Sequence, residues 1–129
     1  PDVLSSQVLD DITTPRIRTR RDLKRKHWRK HIKDAHYALG WRVYELQGKE
    51  LIYHGGWVSG FRTDIAYSKD YGIGLAVMMN AEGSTVTELS TKFWSDLFKT
   101  PVNPSYSTKL QAVQNQSSPV SDYLEPAAN

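Results

Sequence analysis

Cysteine is absent from this chain of 129 residues, which excludes disulfides and thiolate metal sites and suits a reducing or an oxidising compartment equally. No stretch approaches the ~18 uncharged apolar residues that a membrane-spanning helix needs, so no span is expected. The first residues, from Pro1, lack both an initiator methionine and the basic-then-apolar pattern of a secretory signal, which reads as a cut or processed start. The chain shows no internal repeat. What it does contain, 39% apolar residues and four tryptophans, is enough for one modest domain with a core of ordinary size.

The net charge of +3 conceals an asymmetry. Residues 16–33 hold ten of the seventeen Lys and Arg and a single acid, Asp22, for a segment charge of +9. The rest of the chain, with seven bases against thirteen acids, carries −6. Such a segment attracts phosphate backbones or an anionic surface at long range. The plainer reading is a solvated connection balanced by the acidic remainder.

Along the chain, Leu4, Val8, Leu9 and Ile12 share one face of a short helix over residues 3–12, stopped by Thr13-Thr14-Pro15. After the basic connection the pattern turns to strands. Tyr37 to Leu46, a turn at Gln47-Gly48 and Glu50 to His54 predict a β-hairpin. Phe61, Thr63, Ile65 and Tyr67 then alternate with Arg62, Asp64 and Ala66, and Ser68 to Gly72 turns the chain into Ile73 to Asn80. Because Ile73–Met79 is apolar at every position, it is expected inside the sheet with cover on both faces.

One cover is a helix over about Thr85 to Phe98, opened by a capping box of Thr85 and Glu88. Its expected buried stripe is Val86, Leu89, Phe93 and Leu97, with Trp94 beside it. Residues 101–129, rich in Pro, Asn, Ser and Gln, read as an extended or disordered tail. The expected fold is thus α+β over residues 1–100: an antiparallel sheet of about four strands, a C-terminal helix packed on it and a short N-terminal helix.

Four motifs occur in a familiar order: Tyr37-Ala38-Leu39-Gly40-Trp41, His54-Gly55-Gly56, Gly60-Phe61-Arg62, and Gly72 to Asn80. Together they resemble the C-terminal part of a serine β-lactamase-like protein, of the class C β-lactamase, D-alanyl-D-alanine carboxypeptidase and esterase family. The resemblance covers most of residues 1–100 and implies a partial β-lactamase-like fold. It implies that His54-Gly55-Gly56 occupies the place of the family's third active-site motif, commonly Lys-Thr-Gly and in many relatives His-x-Gly. His54 would stand near the substrate carboxylate and the proton-transfer network, and the backbone N–H of Trp57 would be one of two oxyanion donors. Gly56 would let the substrate acyl group approach the strand closely. Gly55 stands where Thr is commoner, which removes a hydroxyl from carboxylate recognition.

The centre of that chemistry is not in this sequence. The family uses Ser-x-x-Lys for its nucleophile and Tyr-x-Asn for proton transfer. No serine here has lysine three positions on, and no tyrosine has asparagine two positions on. Both motifs precede the matching segment in the family, as a C-terminal fragment would require. The implied partners are therefore the N-terminal remainder of the same protein, carrying the nucleophile, and a small-molecule acyl substrate: a β-lactam, a D-Ala peptide or an ester. No cofactor is implied. A bacterial periplasm or cell envelope follows from the resemblance alone.

Other constellations carry plainer readings. His27, His31 and His36 with Asp34 could suggest zinc, yet two of these histidines lie in a cationic run that repels a metal, and solvated histidines are the expectation. Trp28 among the basic residues could stack on a nucleic-acid base or anchor its loop to the core. Apart from the resemblance, His54 could be a hydrogen-bonded strand histidine and Gly55-Gly56 a bulge. Two functions remain: a segment of an acyl-enzyme hydrolase, inactive alone, or a small basic module that binds nucleic acid or an acidic surface through residues 16–33. Self-association through uncovered sheet edges is a further expectation.

Overall fold

The computed structural model describes residues 3–102. Its centre is one antiparallel sheet of six strands in sequential order: β1 (Ile17–Arg18), β2 (Asp34–Tyr37), β3 (Arg42–Leu46), β4 (Lys49–Val58), β5 (Phe61–Ser68) and β6 (Ile73–Met79). Helix α1 (Ser6–Thr13) precedes the sheet and α2 (Thr85–Leu97) follows it. A 3₁₀ turn at Asp22–Lys24 lies between β1 and β2. The α+β class and both helices are as expected, but six strands replace about four.

The two extra strands come from the stretch before the hairpin. Tyr37 to Leu46 is not one strand. Gly40 adopts φ 81, and the Ala38 N–H donates to the Trp41 carbonyl at 2.7 Å, so the chain reverses between β2 and β3. The next reversal is the predicted one, with Gln47 and Gly48 both at positive φ, as a tight primed turn demands. β1 is only two residues, pairing Ile17 with Tyr37 and Arg18 with His36.

Register sorts the side chains onto two unlike faces. One face is covered by α2, which packs on β5 and β6, and by the basic segment, which crosses in front of β3 and β4. Trp28 and Trp94, both without exposed surface, fill it together with Tyr44, Tyr53 and Phe98. Trp28 meets Tyr53 edge-on at 5.0 Å between ring centroids, a favoured aromatic geometry. Each such side chain contributes roughly 1.5–3 kcal/mol by leaving water. The opposite face has a small cluster of Ala38, Val43 and Ile52, with Trp41 and Tyr67 against it. Beyond that cluster Val58, Phe61, Ile65 and Met78 stand exposed.

Several expectations change on this frame. β6 is the edge strand, not an inner one, and its residues alternate between half-buried and exposed. Among the described residues β5 alone pairs with it and α2 covers one of its faces, so a wholly apolar sequence is half used. In α2 the buried line runs through Val86, Ser90, Thr91, Trp94 and Ser95 to the C-cap Phe98; Val86 and half-buried Leu97 take the expected side, while Leu89 and Phe93 point outward. Trp94 has far more surface to bury than Leu89, and it turns the helix. Ser84 is the N-cap, one residue before the expected box; its hydroxyl bonds the Glu88 carboxylate, and its αR backbone makes no side-chain bond to the first-turn amides. In α1 only Leu9 and Ile12 of the expected face are half-buried, and Leu4 and Val8 are exposed. The helix is tied instead by the Lys69–Asp10 ion pair at 2.6 Å and by the Leu39 N–H on the Ile12 carbonyl. Val102 still packs against the core; the rest of the expected tail, 103–129, lies outside the described residues. No helix among the described residues is long and apolar enough to cross a membrane.

Candidate active-site strand

β4 outruns its neighbour. Its ladder with β3 ends at the pair Arg42 and Tyr53, whereas its ladder with β5 continues through His54, Gly55, Gly56, Trp57 and Val58 to the turn at Ser59-Gly60. Residues His54 to Val58 are therefore paired on one side only among the described strands. Along a strand, successive residues turn their backbone N–H and C=O to alternate sides. Part of this segment's hydrogen-bonding capacity thus points to an open edge, which is what an extended acyl chain or an incoming strand needs.

The expected site residues divide between the faces. His54, half-buried, lies on the open face opposite Ile65, and Gly56 is on the same side. Gly55 and Trp57 lie on the covered face. Gly55 has a packing reason to be glycine: a Cβ there would come within 2.7 Å of the Tyr53 hydroxyl and 3.0 Å of the Asp64 Oδ1. A Cβ at Gly56 would run into the Thr63 hydroxyl. Both glycines thus serve cross-strand contact inside the sheet, whatever approaches the edge, and the regular register excludes a bulge.

Beneath Gly55 is a polar pair that sequence reasoning did not single out. The Tyr53 hydroxyl donates to Asp64 at 3.0 Å, and both side chains are buried. Burial pushes the Asp64 carboxyl above the usual carboxylate range, against the opposing Tyr53 hydrogen bond and the Arg25 charge. Tyr53 is pushed up further still, by burial first and by the Asp64 charge second. Tyr44, nearby, rises to about 12, again through burial. The signal was in β5: Asp64 alternates in phase with Ala66 and Ser68, the small residues that face α2, and out of phase with the exposed Phe61 and Ile65.

The Trp57 side chain closes the end of the strand. Its indole N–H donates to both Glu82 oxygens, at 3.1 and 3.2 Å, and the Arg62 guanidinium sits 4.5 Å over its ring. Glu82 also accepts the Gly60 N–H at 2.8 Å, which is the main reason that its carboxyl is held below the usual range. Glu82 therefore anchors the β4–β5 turn, a role absent from the sequence reading because residues 57, 60 and 82 meet only in the fold.

The histidines do not converge. His27 and His31 border a cleft beside α2 with Glu88 and Asp96, whereas His36 lies on the opposite face with Asp34 and Glu45. Among the described residues no group of three His, Cys, Asp or Glu is placed to hold a metal ion. Trp28 is fully buried, so it is an anchor for its loop and has no free face for a base. The lone acid of the basic run, Asp22, is buried and bound by Arg42 at 2.6 Å and by the Thr19 hydroxyl at 2.9 Å. No family model, no curated protein and no solved structure matches the chain.

Proposed function

We propose that this chain is the C-terminal part of a β-lactamase-like serine hydrolase that works through an acyl-enzyme, supplying one wall of a site whose nucleophile lies in the N-terminal remainder of the protein. The observation that carries this reading is the one-sided segment His54–Val58, which combines a half-buried histidine with an open strand edge. In that role the strand holds the acyl group by backbone hydrogen bonds, and the Trp57 N–H faces the developing oxyanion; loss of such a donor costs about 2.7–4 kcal/mol in barrier height. His54 would orient the substrate or take part in proton transfer. Val58, Phe61, Ile65 and Met78, exposed on the open face, suit a surface that another part of the protein covers. The substrate is a β-lactam, a D-Ala peptide or an ester. The alternative of a basic binding module is weakened by the burial of Trp28 and Asp22, which makes part of residues 16–33 core.

The test is hydrolysis of nitrocefin and p-nitrophenyl esters by this chain and by the longer protein that carries it, with a fluorophosphonate probe for an activated serine. Turnover and labelling in the longer protein alone are expected. Turnover by the 129-residue chain itself would overturn the assignment, and inertness of both would transfer support to the basic module.

A further inference from the structure

The hydrolase reading leaves unused a cavity on the covered face, where the basic segment passes the start of α2. It is an open cleft of about 330 Å³ lined by Arg25, Lys26 and His27 from that segment, Arg62 from β5, and Ser84 and Thr87 at the helix N-terminus. Three permanent cations face it, and no carboxylate is among its lining residues. The acids nearest these cations hold them loosely. Asp22 is 3.9 Å from Arg25, whose guanidinium also donates to the Tyr44 hydroxyl at 3.2 Å, and Glu82 is 3.5 Å from Arg62; both ion pairs are longer than the roughly 2.7–2.9 Å of a direct charged hydrogen bond. Lys26 has no ion-pair partner among the described residues, and the Arg62 Nε is buried without a hydrogen bond.

Two neutral sources of donors complete the lining. The first-turn amides of α2 have no side-chain cap, because Ser84 spends its hydroxyl on Glu88. A 13-residue helix concentrates partial positive charge at that end. Independently, the indole N–H of Trp28, on a lining side chain with no exposed surface, has no hydrogen-bond partner.

We propose that this cavity binds a small phosphate monoester. A carboxylate offers two oxygens and one charge, enough for a single guanidinium. A phosphate dianion offers three acceptors and close to two charges at neutral pH, which suits two guanidinium forks, an ammonium and backbone amides at once. The volume is about ten times the share of one liquid water, so the ester's organic group fits beside the phosphate. Binding here is independent of any hydrolytic role, and its readouts do not use turnover.

The test is a titration of the full 129-residue chain with phenyl phosphate and with inorganic phosphate at constant ionic strength, followed by amide and indole NMR shifts. The expected result is saturable movement of the Trp28 indole and of the Thr85, Val86 and Thr87 amides. Lys26→Gln and Arg62→Gln should each weaken binding about tenfold, as loss of one charged contact does, and Lys92→Gln should not, since the Lys92 ammonium pairs with Asp96 outside the cavity. Non-saturable shifts spread over residues 16–33 would overturn the site, as would equal affinity in Lys26→Gln with an unchanged amide spectrum elsewhere.

Discussion

The two faces of one sheet differ in what holds them. On the covered face, tryptophans and tyrosines from three distant stretches, residues 28, 44 and 53, and 94, interlock with α2. On the open face the buried apolar residues come from β3, β4 and the β2–β3 turn and stop at a cluster of Ala38, Val43 and Ile52, leaving Val58, Phe61, Ile65 and Met78 exposed. Carboxyls follow the same division. Asp64, on the covered face, is pushed up by desolvation; Asp34, on the open face, is held down by the Arg18 hydrogen bond at 2.9 Å and by the Ala35 N–H. Burial favours the neutral form of an acid, and an exposed site with a cation favours the charged one. The covered face has the properties of an interior, and the open face has those of a surface awaiting contact.

The sharpest way to break this contrast is a matched pair of truncations. Trp94→Ala should cost about 3–5 kcal/mol, whereas Met78→Ala, at 76% exposure on the open face, should stay within about 0.5 kcal/mol. Urea midpoints at constant m report both, and similar losses would mean that the open face is packed in solution. A smaller effect is expected at Gly55→Ala, about 1–3 kcal/mol, because the added methyl meets the Tyr53 hydroxyl. Tyr53→Phe removes that hydroxyl, so the double variant should lose less than the two singles combined, and strict additivity would remove the proposed clash.

The weakest effect is in pH, and the two carboxyls should have opposite signs. Asp64 has a folded pKa above its unfolded value, so its contribution is full below the unfolded pKa and declines as pH rises through the folded one. Asp34 has a depressed folded pKa; its contribution is present above the unfolded pKa and is lost as pH falls through the folded value. Asp64→Asn should thus gain relative stability on moving from pH 3 toward neutrality, and Asp34→Asn should lose it. Chemical denaturation across that range checks both slopes, and parallel slopes would mean that the two environments are alike.

The hairpin at Gln47-Gly48, the turn at Gly72 and the extent of α2 were legible because turn conformation and helical period are local properties, written in a few adjacent residues. The break at Gly40 was equally local, but the aromatic and β-branched residues on either side of it, from Tyr37 to Leu46, read as one strand and hid it. Which side of each element would be buried was not legible. Leu89 and Phe93 fit a helical stripe as well as Trp94 and Phe98 do, and only the position of the sheet and the bulk of Trp94 decide between them. The candidate site shows the same split: His54-Gly55-Gly56 stands out as a string, while Tyr53, Asp64 and Glu82 acquire roles through cross-strand register and a return of the chain from residue 82 to residues 57 and 60.

By itself, then, the sequence determined the α+β class, the lack of any thiol chemistry, the concentration of positive charge in residues 16–33 and the glycine-rich strand end, since each depends on composition or on neighbours in the chain. The tertiary structure decided that β6 is an edge among the described strands, that Trp28 is core, that β4 outruns β3 past Tyr53 while still paired with β5, and that scattered cations share one cleft. These depend on which distant segments compete for the same buried surface, and that competition is settled by the largest side chains and the sheet register together.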